Sequence, residues 1–261
     1  MQSTTLDNLT SNNPDLALIL STFIRLALIG LGFISAPAFA GMQVIDGFAI
    51  DRTEVTVGQF RAFAAETNFV TKAEKDGGGL VYESGWKQKP GWTWKAPYGS
   101  TARNDEPAVH VTFDEAAKFC KWSGKRLPTD AEWIAAAYTE TRTNAPVPFK
   151  AGVTYAFPTG NEPVGANCLK DCGKTAAIDY SAHLERGIGH APAGSTKSGV
   201  NGLYDMGANV WEWTEDGGDK EKRTRGGSWW YGSFRMRAED HATKTRDMAA
   251  VYIGFRCAKD T

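Results

Sequence analysis

Cys168 and Cys172 lie four positions apart and could bind a metal ion, form a disulfide or carry out thiol redox chemistry. His183 and His190 follow them, which gives a loose Cys2His2 spacing that would suit a structural zinc ion. In an oxidising compartment the same cysteines would instead form a disulfide that closes a short loop. A thiol redox role is disfavoured, because no helix N-terminus or basic cluster is evident beside them to lower a thiol pKa. Zinc and disulfide both stay open here, and the disulfide is favoured.

A second candidate for chemistry is His241, which follows Glu239 and Asp240. A carboxylate beside an imidazole can support acid–base catalysis near neutral pH. A histidine in a solvated loop explains the same residues, and we favour that interpretation. The sequence contains no Ser–His–Asp pattern, P-loop or dinucleotide-binding fingerprint.

The N-terminal segment indicates which compartment the cysteines meet. An apolar run, Leu26 to Ile34, follows Arg25 and precedes Ala38-Phe39-Ala40, a small-residue pattern of the kind signal peptidase cleaves. We therefore predict a signal peptide over residues 1–40 and a mature protein that is periplasmic or secreted. The alternative is an uncleaved membrane anchor that spans both this run and a second apolar run, Leu16 to Ile24. Arg25 would then lie within the membrane at a substantial free-energy cost.

The mature segment, residues 41–261, is predicted to form one domain. The chain of 261 residues is 42% hydrophobic and 23% charged, which is enough apolar material for one large core. Its formal net charge is −1, so it has no electrostatic footprint for nucleic acid or, after signal cleavage, for an anionic membrane. The 28 glycines and nine tryptophans favour a loop-rich fold pinned by aromatic side chains.

The four cysteines are expected to form two disulfides, because an exported chain with an even count meets an oxidant. Besides Cys168 and Cys172, the chain contains Cys120 and Cys257. Four cysteines allow three pairings, and the residues alone do not choose among them.

Three capping boxes predict three helices. They pair a threonine with a glutamine or glutamate three residues later: Thr56 with Gln59, Thr112 with Glu115, and Thr129 with Glu132. In the second helix Phe113, Ala116 and Cys120 fall on one face, and Gly124 is expected to end it. Asp76 to Gly99 is predicted to be a loop, and everything after Ala145 is predicted to be short strands and long loops.

Five motifs occur in a fixed order along the chain. They are Gly47–Thr56, Gly124–Trp133, Gly202–Thr214, Arg225–Trp230 and Gly254–Cys257. This ordered set resembles the formylglycine-generating enzyme, or sulfatase-modifying factor, family over Gly47 to Asp260. The resemblance implies an α+β fold class: a single-domain variant of the C-type lectin fold with little regular secondary structure. It also implies a disulfide between Cys120 and Cys257, so that Cys168 and Cys172 would form the second disulfide.

The chain departs from that family at the reactive cysteines. Members oxidise a substrate cysteine with two active-site cysteines that bind copper, and the matching positions here hold Tyr231 and Met236. Without thiolates the soft Cu(I) ion lacks the ligands it requires. We therefore expect no copper, and no oxidation of a peptide cysteine by the family mechanism.

The resemblance further implies two structural calcium ions. At one site Asp205 and Glu212 would supply carboxylates, and Ala208 and Val210 would supply backbone carbonyls, the hard oxygen ligands that calcium prefers. The alternative is that Asp205 and Glu212 only cap turns and pair with Arg or Lys.

The second implied calcium site is a weaker match. Asn167, the carbonyl of Cys168, Glu185 and Gly187 would form it, with a glutamate where the family usually has an aspartate.

The resemblance also implies a substrate groove. Trp211, Ser228 and Trp229 would line it, although plain core packing explains both tryptophans equally well. The candidate catalytic residues nearby are Tyr231, Arg235, Arg237 and His241.

Two functions follow as hypotheses. One is a tailoring oxidoreductase that acts on a peptide or a peptide-derived small molecule. The other is a non-catalytic, calcium-stabilised module that binds or assembles with a periplasmic partner protein. The fold alone does not choose between them. Clustered ionisable groups with shifted pKa values would favour the enzyme, and an open aromatic patch would favour the binding module.

Overall fold

A computed structural model describes residues 41–261 of the protein. The predicted signal peptide and its cleavage after Ala40 lie outside the described residues. Among the helices of residues 41–261, none has the length and apolar character needed to cross a bilayer.

Each of the four α-helices in the described part of the chain begins with a capping box. The helices are α1 (Val57–Thr67), α2 (Lys72–Lys75), α3 (Phe113–Trp122) and α4 (Asp130–Tyr138). The predicted boxes at α1, α3 and α4 are confirmed, because in each case the threonine side chain accepts from the third helical amide and the third side chain accepts from the threonine amide. α2 has a fourth box, Thr71 with Glu74. α3 ends at Trp122, and Gly124 adopts φ +70° just beyond it.

In residues 41–261, nine short strands form three small sheets. The strands are β1 (Met42–Val44), β2 (Phe48–Asp51), β3 (Leu80–Tyr82), β4 (Trp86–Gln88), β5 (Trp211–Gly217), β6 (Glu221–Arg225), β7 (Ala242–Thr245), β8 (Ile253–Gly254) and β9 (Ala258–Asp260). The sheet orders are β1-β2-β9, β3-β4 and β7-β6-β5-β8. Only β5 and β8 pair in parallel, and all other strand pairs in residues 41–261 are antiparallel. The prediction of short strands and long loops after Ala145 is confirmed.

The prediction of a loop from Asp76 to Gly99 is wrong in part, because β3 and β4 form a hairpin there. Tyr82 pairs with Trp86 across its end, with ring centroids 5.5 Å apart. Ser84 and Gly85 adopt φ values of 47° and 132° and make the turn. Strands of three residues are too short to show the alternation by which strands are recognised in sequence.

The larger core joins the first helices to the C-terminal strands. Phe60 of α1 and Phe119 of α3 stack with centroids 5.7 Å apart, and Phe255 packs edge-on against both rings. The disulfide Cys120–Cys257 fixes α3 to the same C-terminal segment.

Both disulfides implied by the resemblance are confirmed, Cys120–Cys257 and Cys168–Cys172. The second disulfide removes the thiols that the zinc interpretation required, so that interpretation is wrong. His183, the nearer of its two histidines, is exposed.

The Cys120–Cys257 disulfide spans 137 residues, whereas Cys168–Cys172 spans four. A longer closed loop loses more entropy from the unfolded state, so the double variant C120A/C257A is expected to lower the free energy of unfolding by about 3–5 kcal/mol. The matched control C168A/C172A is expected to lower it by about 2 kcal/mol or less. Urea denaturation measures both values, and equal losses would contradict the chain-entropy account.

Candidate functional site

A strained loop leads from Gly202 into β5. Asp205, Ala208 and Asn209 adopt left-handed backbone conformations, with φ of 59°, 62° and 52°. Such conformations are uncommon for residues with a side chain, and they cluster at sites where the surrounding structure imposes them. The first implied calcium site therefore lies on a backbone whose path is fixed by tertiary contacts rather than by local preference.

The loop is anchored by a buried ion pair between Glu212 and Arg256. Arg256 Nη2 lies 2.7 Å from Glu212 Oε1, Nε lies 2.7 Å from Oε2, and both side chains are at most 1% exposed. Trp133 Nε1 also donates to Glu212 Oε2, at 2.8 Å. Arg256 then donates to the carbonyls of Asp51 and Tyr204 at 2.9 and 2.8 Å. One guanidinium thus joins the end of β2, the strained loop and β5.

Two more buried carboxylates surround this pair. The Asp205 carboxylate accepts from the Gly194 amide at 2.6 Å and from Thr196 Oγ1 at 2.5 Å. Glu54, which is 1% exposed, accepts from Asn209 Nδ2 at 2.9 Å. Burial and the charges of Asp205 and Glu212 raise the pKa of Glu54 well above its ordinary value. Burial also raises the pKa of Asp205.

The charges in this cluster do not balance. With all groups ionised, Glu54, Asp205 and Glu212 carry three negative charges against the single positive charge of Arg256. A buried excess of negative charge requires protons or a cation, because desolvated charge without a partner is costly. Sequence reasoning missed Glu54. It lies in the first family motif, but nothing in its spacing connects it to residues 150 positions away.

The donor set at this loop fits calcium in chemistry. Its atoms are hard oxygens, carboxylates from Asp205 and Glu212 and carbonyls from Ala208 and Val210, and the local charge is negative. Within residues 41–261 no three Asp, Glu, His or Cys side chains form a metal-binding group. The implied ligand set needs only two such side chains, since the backbone supplies the rest.

The second implied calcium site fits poorly. Asn167, Cys168 and Gly187 line one pocket of about 390 Å³, and Lys174 shares that lining. Glu185 is not part of it. Its half-exposed carboxylate lies 3.7 Å from Lys87 Nζ instead. The pocket lining therefore brings the ammonium of Lys174 and no carboxylate to the expected position.

The implied groove residues are mostly buried. Trp211, Ser228 and Trp229 are each at most 2% exposed, so both tryptophans serve as core. The Trp211 ring contacts the half-buried Tyr231 ring edge-on, with centroids 5.8 Å apart. Trp211 Nε1 is buried and has no hydrogen-bond partner among the described residues.

The structure brings together two of the four candidate catalytic residues. The Arg235 guanidinium lies 5.3 Å from the centre of the Tyr231 ring and pairs with Asp240 at 2.8 Å. Arg237 lies instead over the Phe157 ring at 4.7 Å. His241 is exposed, one residue before β7.

The position of the second family cysteine is closed to solvent. Met236 is fully buried, and its sulfur lies 3.7 Å from Cys172 Sγ. All four cysteines of the chain are in disulfides. No thiolate is therefore available at either Tyr231 or Met236, and the residues do not fit a Cu(I) ion.

Sequence reasoning also missed Lys244 on β7. Its side chain is half-buried, and burial together with the positive charge of Arg235 lowers its pKa. Burial raises the pKa of Tyr231, which the charges of Arg235 and Arg186 partly offset. Tyr231 and Lys244, which both feel the charge of Arg235, thus have pKa values shifted in opposite directions. No motif signals Lys244, because its surroundings arise only from the pairing of β6 and β7.

A buried polar network supports Trp229 from behind. His190 Nε2 lies 2.7 Å from Glu106 Oε2, and Tyr98 Oη lies 3.0 Å from His190 Nδ1. Tyr180 Oη donates to the same Glu106 oxygen at 2.9 Å. The Tyr98 ring then packs on Trp229, with centroids 6.2 Å apart. This network holds the Tyr98 ring against Trp229, one of the implied groove residues.

Comparison with known proteins gives a consistent result. The model of the sulfatase-modifying factor enzyme 1-like domain matches residues 35–261. The formylglycine-generating enzyme of Thermomonospora curvata is 31% identical, over 82% of this chain and 82% of its own length. The inactive C-alpha-formylglycine-generating enzyme 2 of Mus musculus is 30% identical, over 81% of this chain and 74% of its own.

Solved structures confirm the fold class predicted from the sequence. PvdO from Pseudomonas aeruginosa superimposes with a TM-score of 0.55 at 20% identity, covering 82% of this chain and 80% of its own. The fold is α+β, the formylglycine-generating enzyme variant of the C-type lectin fold.

The buried acidic cluster predicts an unusual pH dependence of stability. The pKa of Glu54 is higher in the folded than in the unfolded state, so its contribution is fully present below about pH 4 and is lost as pH rises through the folded pKa. Without divalent cations, the free energy of unfolding is expected to fall over this range, by up to about 1.4 kcal/mol per pH unit from this group. Glu54→Gln is expected to remove that part of the slope.

Urea denaturation from pH 4 to pH 8 in a chelator measures the slope. The matched control is Glu221→Gln, since Glu221 is exposed on β6. An unchanged slope in Glu54→Gln would contradict the buried-charge interpretation.

Proposed function

Because the chain belongs to the sulfatase-modifying factor family, we propose that it is an exported tailoring enzyme, an oxidoreductase that acts on a peptide or a peptide-derived small molecule. The observation that carries this proposal is the half-buried Tyr231, whose ring lies 5.3 Å from the Arg235 guanidinium and whose pKa is raised by burial, while the charge of Arg235 also helps to lower the pKa of Lys244. Shifted pKa values are common at sites of acid–base chemistry, whereas a surface that only binds a partner does not require them.

The reaction would proceed without the family's copper–cysteine pair, since the residues at Tyr231 and Met236 do not fit it. A two-electron oxidation removes two electrons and two protons from the substrate. Dioxygen can take up both and leave as hydrogen peroxide, which balances the reaction.

The side chains around Tyr231 suit the proton transfers of such a reaction. The raised pKa of Tyr231 keeps its hydroxyl protonated, so it can donate a hydrogen bond or a proton. The lowered pKa of Lys244 brings its amine closer to the range in which it can accept a proton. Trp211, edge-on to Tyr231, would shield one side of the substrate from water.

We also propose one structural calcium ion at the strained loop. Asp205 and Glu212 would hold it with the carbonyls of Ala208 and Val210, and Glu54 would add negative charge nearby. When bound, the ion supplies the positive charge that this cluster lacks. The two Asp205 oxygens and Glu212 Oε1 each accept one hydrogen bond and have a further lone pair for the ion, whereas Glu212 Oε2 already accepts from both Trp133 and Arg256. Loss of calcium is expected to loosen the loop that leads to Trp211.

A second candidate function is a non-catalytic module that binds a periplasmic partner protein. Its support is an exposed aromatic pair at the hairpin, Tyr82 at 41% and Trp86 at 43% exposure. One similar protein is described as an inactive formylglycine-generating enzyme, which shows that the family accommodates loss of the reaction. The enzyme remains the better supported proposal, because an aromatic surface alone does not account for the lowered pKa of Lys244.

Calcium is expected to stabilise the protein through Asp205. At a hundredfold excess over its dissociation constant the ion contributes about 2.7 kcal/mol to the free energy of unfolding. Asp205→Asn is expected to lose most of this gain, because it removes a carboxylate ligand. Thermal unfolding with calcium and with chelator measures the difference. Glu185→Gln is the matched control and is expected to keep the full gain, since Glu185 faces Lys87.

A calcium response that Glu185→Gln abolishes and Asp205→Asn leaves intact would place the ion at the other implied site. No response to calcium in the wild-type protein would contradict the proposal.

Tyr231→Phe tests the enzyme. The purified protein is incubated with exported peptides and small molecules under air, and high-resolution mass spectrometry is used to find compounds that lose two hydrogens. Tyr231→Phe is expected to lower the rate at least about 100-fold, because general acid–base groups contribute on that scale. Tyr204→Phe, distant in sequence from the groove motif, is the control and is expected to retain the rate. No mass change with the wild-type protein would favour the binding module.

A further inference from the structure

A buried hydrogen-bond chain leads from Glu106 through His190 to Tyr98. His190 Nε2 lies 2.7 Å from Glu106 Oε2, and His190 Nδ1 lies 3.0 Å from Tyr98 Oη. All three residues are fully buried. A carboxylate, an imidazole and a phenol in this order form a path along which a proton can move without entering solvent.

The partners determine where each proton lies. Glu106 also accepts from the Arg103 amide at 2.7 Å and from Tyr180 Oη at 2.9 Å. Although burial opposes ionisation, these hydrogen bonds and the one from His190 hold the pKa of Glu106 below its ordinary value. An ionised carboxylate only accepts, so His190 Nε2 carries a proton. Burial lowers the pKa of His190, so its ring is neutral and Nδ1 accepts the phenolic proton of Tyr98.

The phenol of Tyr98 is fixed on the imidazole. Its oxygen accepts from the backbone amide of His190 at 3.1 Å, while its proton points to Nδ1 of the same residue. Its ring stacks on Tyr180 with centroids 4.0 Å apart. Burial raises the pKa of Tyr98 well above its ordinary value, so the hydroxyl stays protonated in the resting protein. Loss of one electron reverses this preference, because an oxidised phenol is a strong acid and His190 is a base in hydrogen-bond contact with it.

A series of aromatic rings connects Tyr98 with the surface. Tyr98 packs on Trp229 with centroids 6.2 Å apart, and Trp229 packs on Trp230 at 6.0 Å. The Tyr82 ring lies 6.5 Å from that of Trp230 and is 41% exposed. Tyrosine and tryptophan rings lose an electron more readily than other aromatic side chains, and electrons cross ring contacts of this length rapidly. An oxidant at the surface is therefore in electronic contact with Tyr98.

The charges along this series favour oxidation at its buried end. The Arg186 guanidinium lies 4.8 Å from the centre of the Trp230 ring, and a nearby positive charge opposes removal of an electron from that ring. Oxidised Tyr98 is different, because it passes its proton to His190 and becomes neutral. The imidazolium that forms is paired with the Glu106 carboxylate. An electron vacancy that enters at the surface thus comes to rest on Tyr98.

We propose that Tyr98 is a one-electron redox site, oxidised through Trp229 and Trp230 by a one-electron oxidant at the surface beside Tyr82. The protein thereby holds one oxidising equivalent in its core, away from solvent. This site is independent of the chemistry proposed at Tyr231.

The step balances with one electron and one proton. The oxidant takes one electron from Tyr98, the phenolic O–H bond breaks, and an N–H bond forms at His190 Nδ1. A neutral tyrosyl radical and an imidazolium paired with Glu106 remain. One electron from a reductant, together with return of the proton from Nδ1, restores the phenol.

Flash photolysis of the purified protein tests the proposal. Light excites a ruthenium tris-bipyridine complex, cobalt(III) pentaammine chloride takes an electron from it irreversibly, and the oxidised ruthenium complex then oxidises the protein. Optical and EPR spectra are expected to show a tyrosyl radical that outlives solvent-exposed ones. Tyr98→Phe is expected to lose this long-lived radical. Tyr155→Phe is the matched control and is expected to keep it, since Tyr155 is buried and its hydroxyl hydrogen-bonds to backbone groups.

Two further variants separate the proton from the electron. His190→Gln is expected to slow formation of the radical at least about 100-fold, the scale on which a positioned general base contributes. Trp229→Phe is expected to slow it as well, because phenylalanine is not oxidised by the ruthenium complex. Circular dichroism and thermal unfolding check that each variant is folded.

Two readouts need no variant. Formation of the radical in the wild-type protein is expected to be slower in heavy water than in ordinary water, because the phenolic proton moves with the electron. High-field EPR is expected to show a tyrosyl oxygen that accepts a hydrogen bond from a charged donor, the His190 imidazolium.

A wild-type protein that forms no long-lived tyrosyl radical would overturn the proposal. So would a long-lived radical that Tyr98→Phe retains, or one that forms equally fast in heavy and ordinary water. An unchanged rate in Trp229→Phe would overturn the route through the tryptophans.

Discussion

The ion pair between Glu212 and Arg256 is the interaction on which the site depends. Buried with both side chains at most 1% exposed, it holds the carbonyls of Asp51 and Tyr204 as well as the first residues of β5. Removing either partner would leave an unpaired buried charge, a change that typically costs about 3–5 kcal/mol. The strained loop is held through the Tyr204 carbonyl, and Trp211 directly precedes Glu212, so both are positioned by this pair.

Beyond this pair, the cluster carries an excess of buried negative charge. Arg256 neutralises one carboxylate, while Glu54 and Asp205 remain buried beside it and their pKa values are raised. The proposed calcium ion would supply the missing positive charge. The same loop could thereby connect ion binding to the shape of the groove, since Trp211 follows it directly and contacts Tyr231.

Local features of the fold were predictable from the sequence, and long-range ones were predictable only where the family motifs supplied them. Each capping box, at Thr56, Thr112 and Thr129, lies within four consecutive residues, so the start of each helix could be predicted from the local sequence. The β3–β4 hairpin escaped prediction because its strands are three residues long. Lys244 and Glu54 escaped because their neighbours are brought to them only by tertiary folding. Of the candidate catalytic residues, Tyr231 and Arg235 meet, whereas Arg237 and His241 lie apart from them.

Metal content of the purified mature protein tests the central claim most directly. Inductively coupled plasma mass spectrometry, after gel filtration in buffer with micromolar calcium, is expected to find one calcium per chain and no stoichiometric copper. One ion corresponds to the loop at Asp205 and Glu212, where the buried charge is unbalanced. A chain that retains no calcium would contradict the account of that cluster. Stoichiometric copper would contradict the account of the groove, because the four cysteines are paired in disulfides.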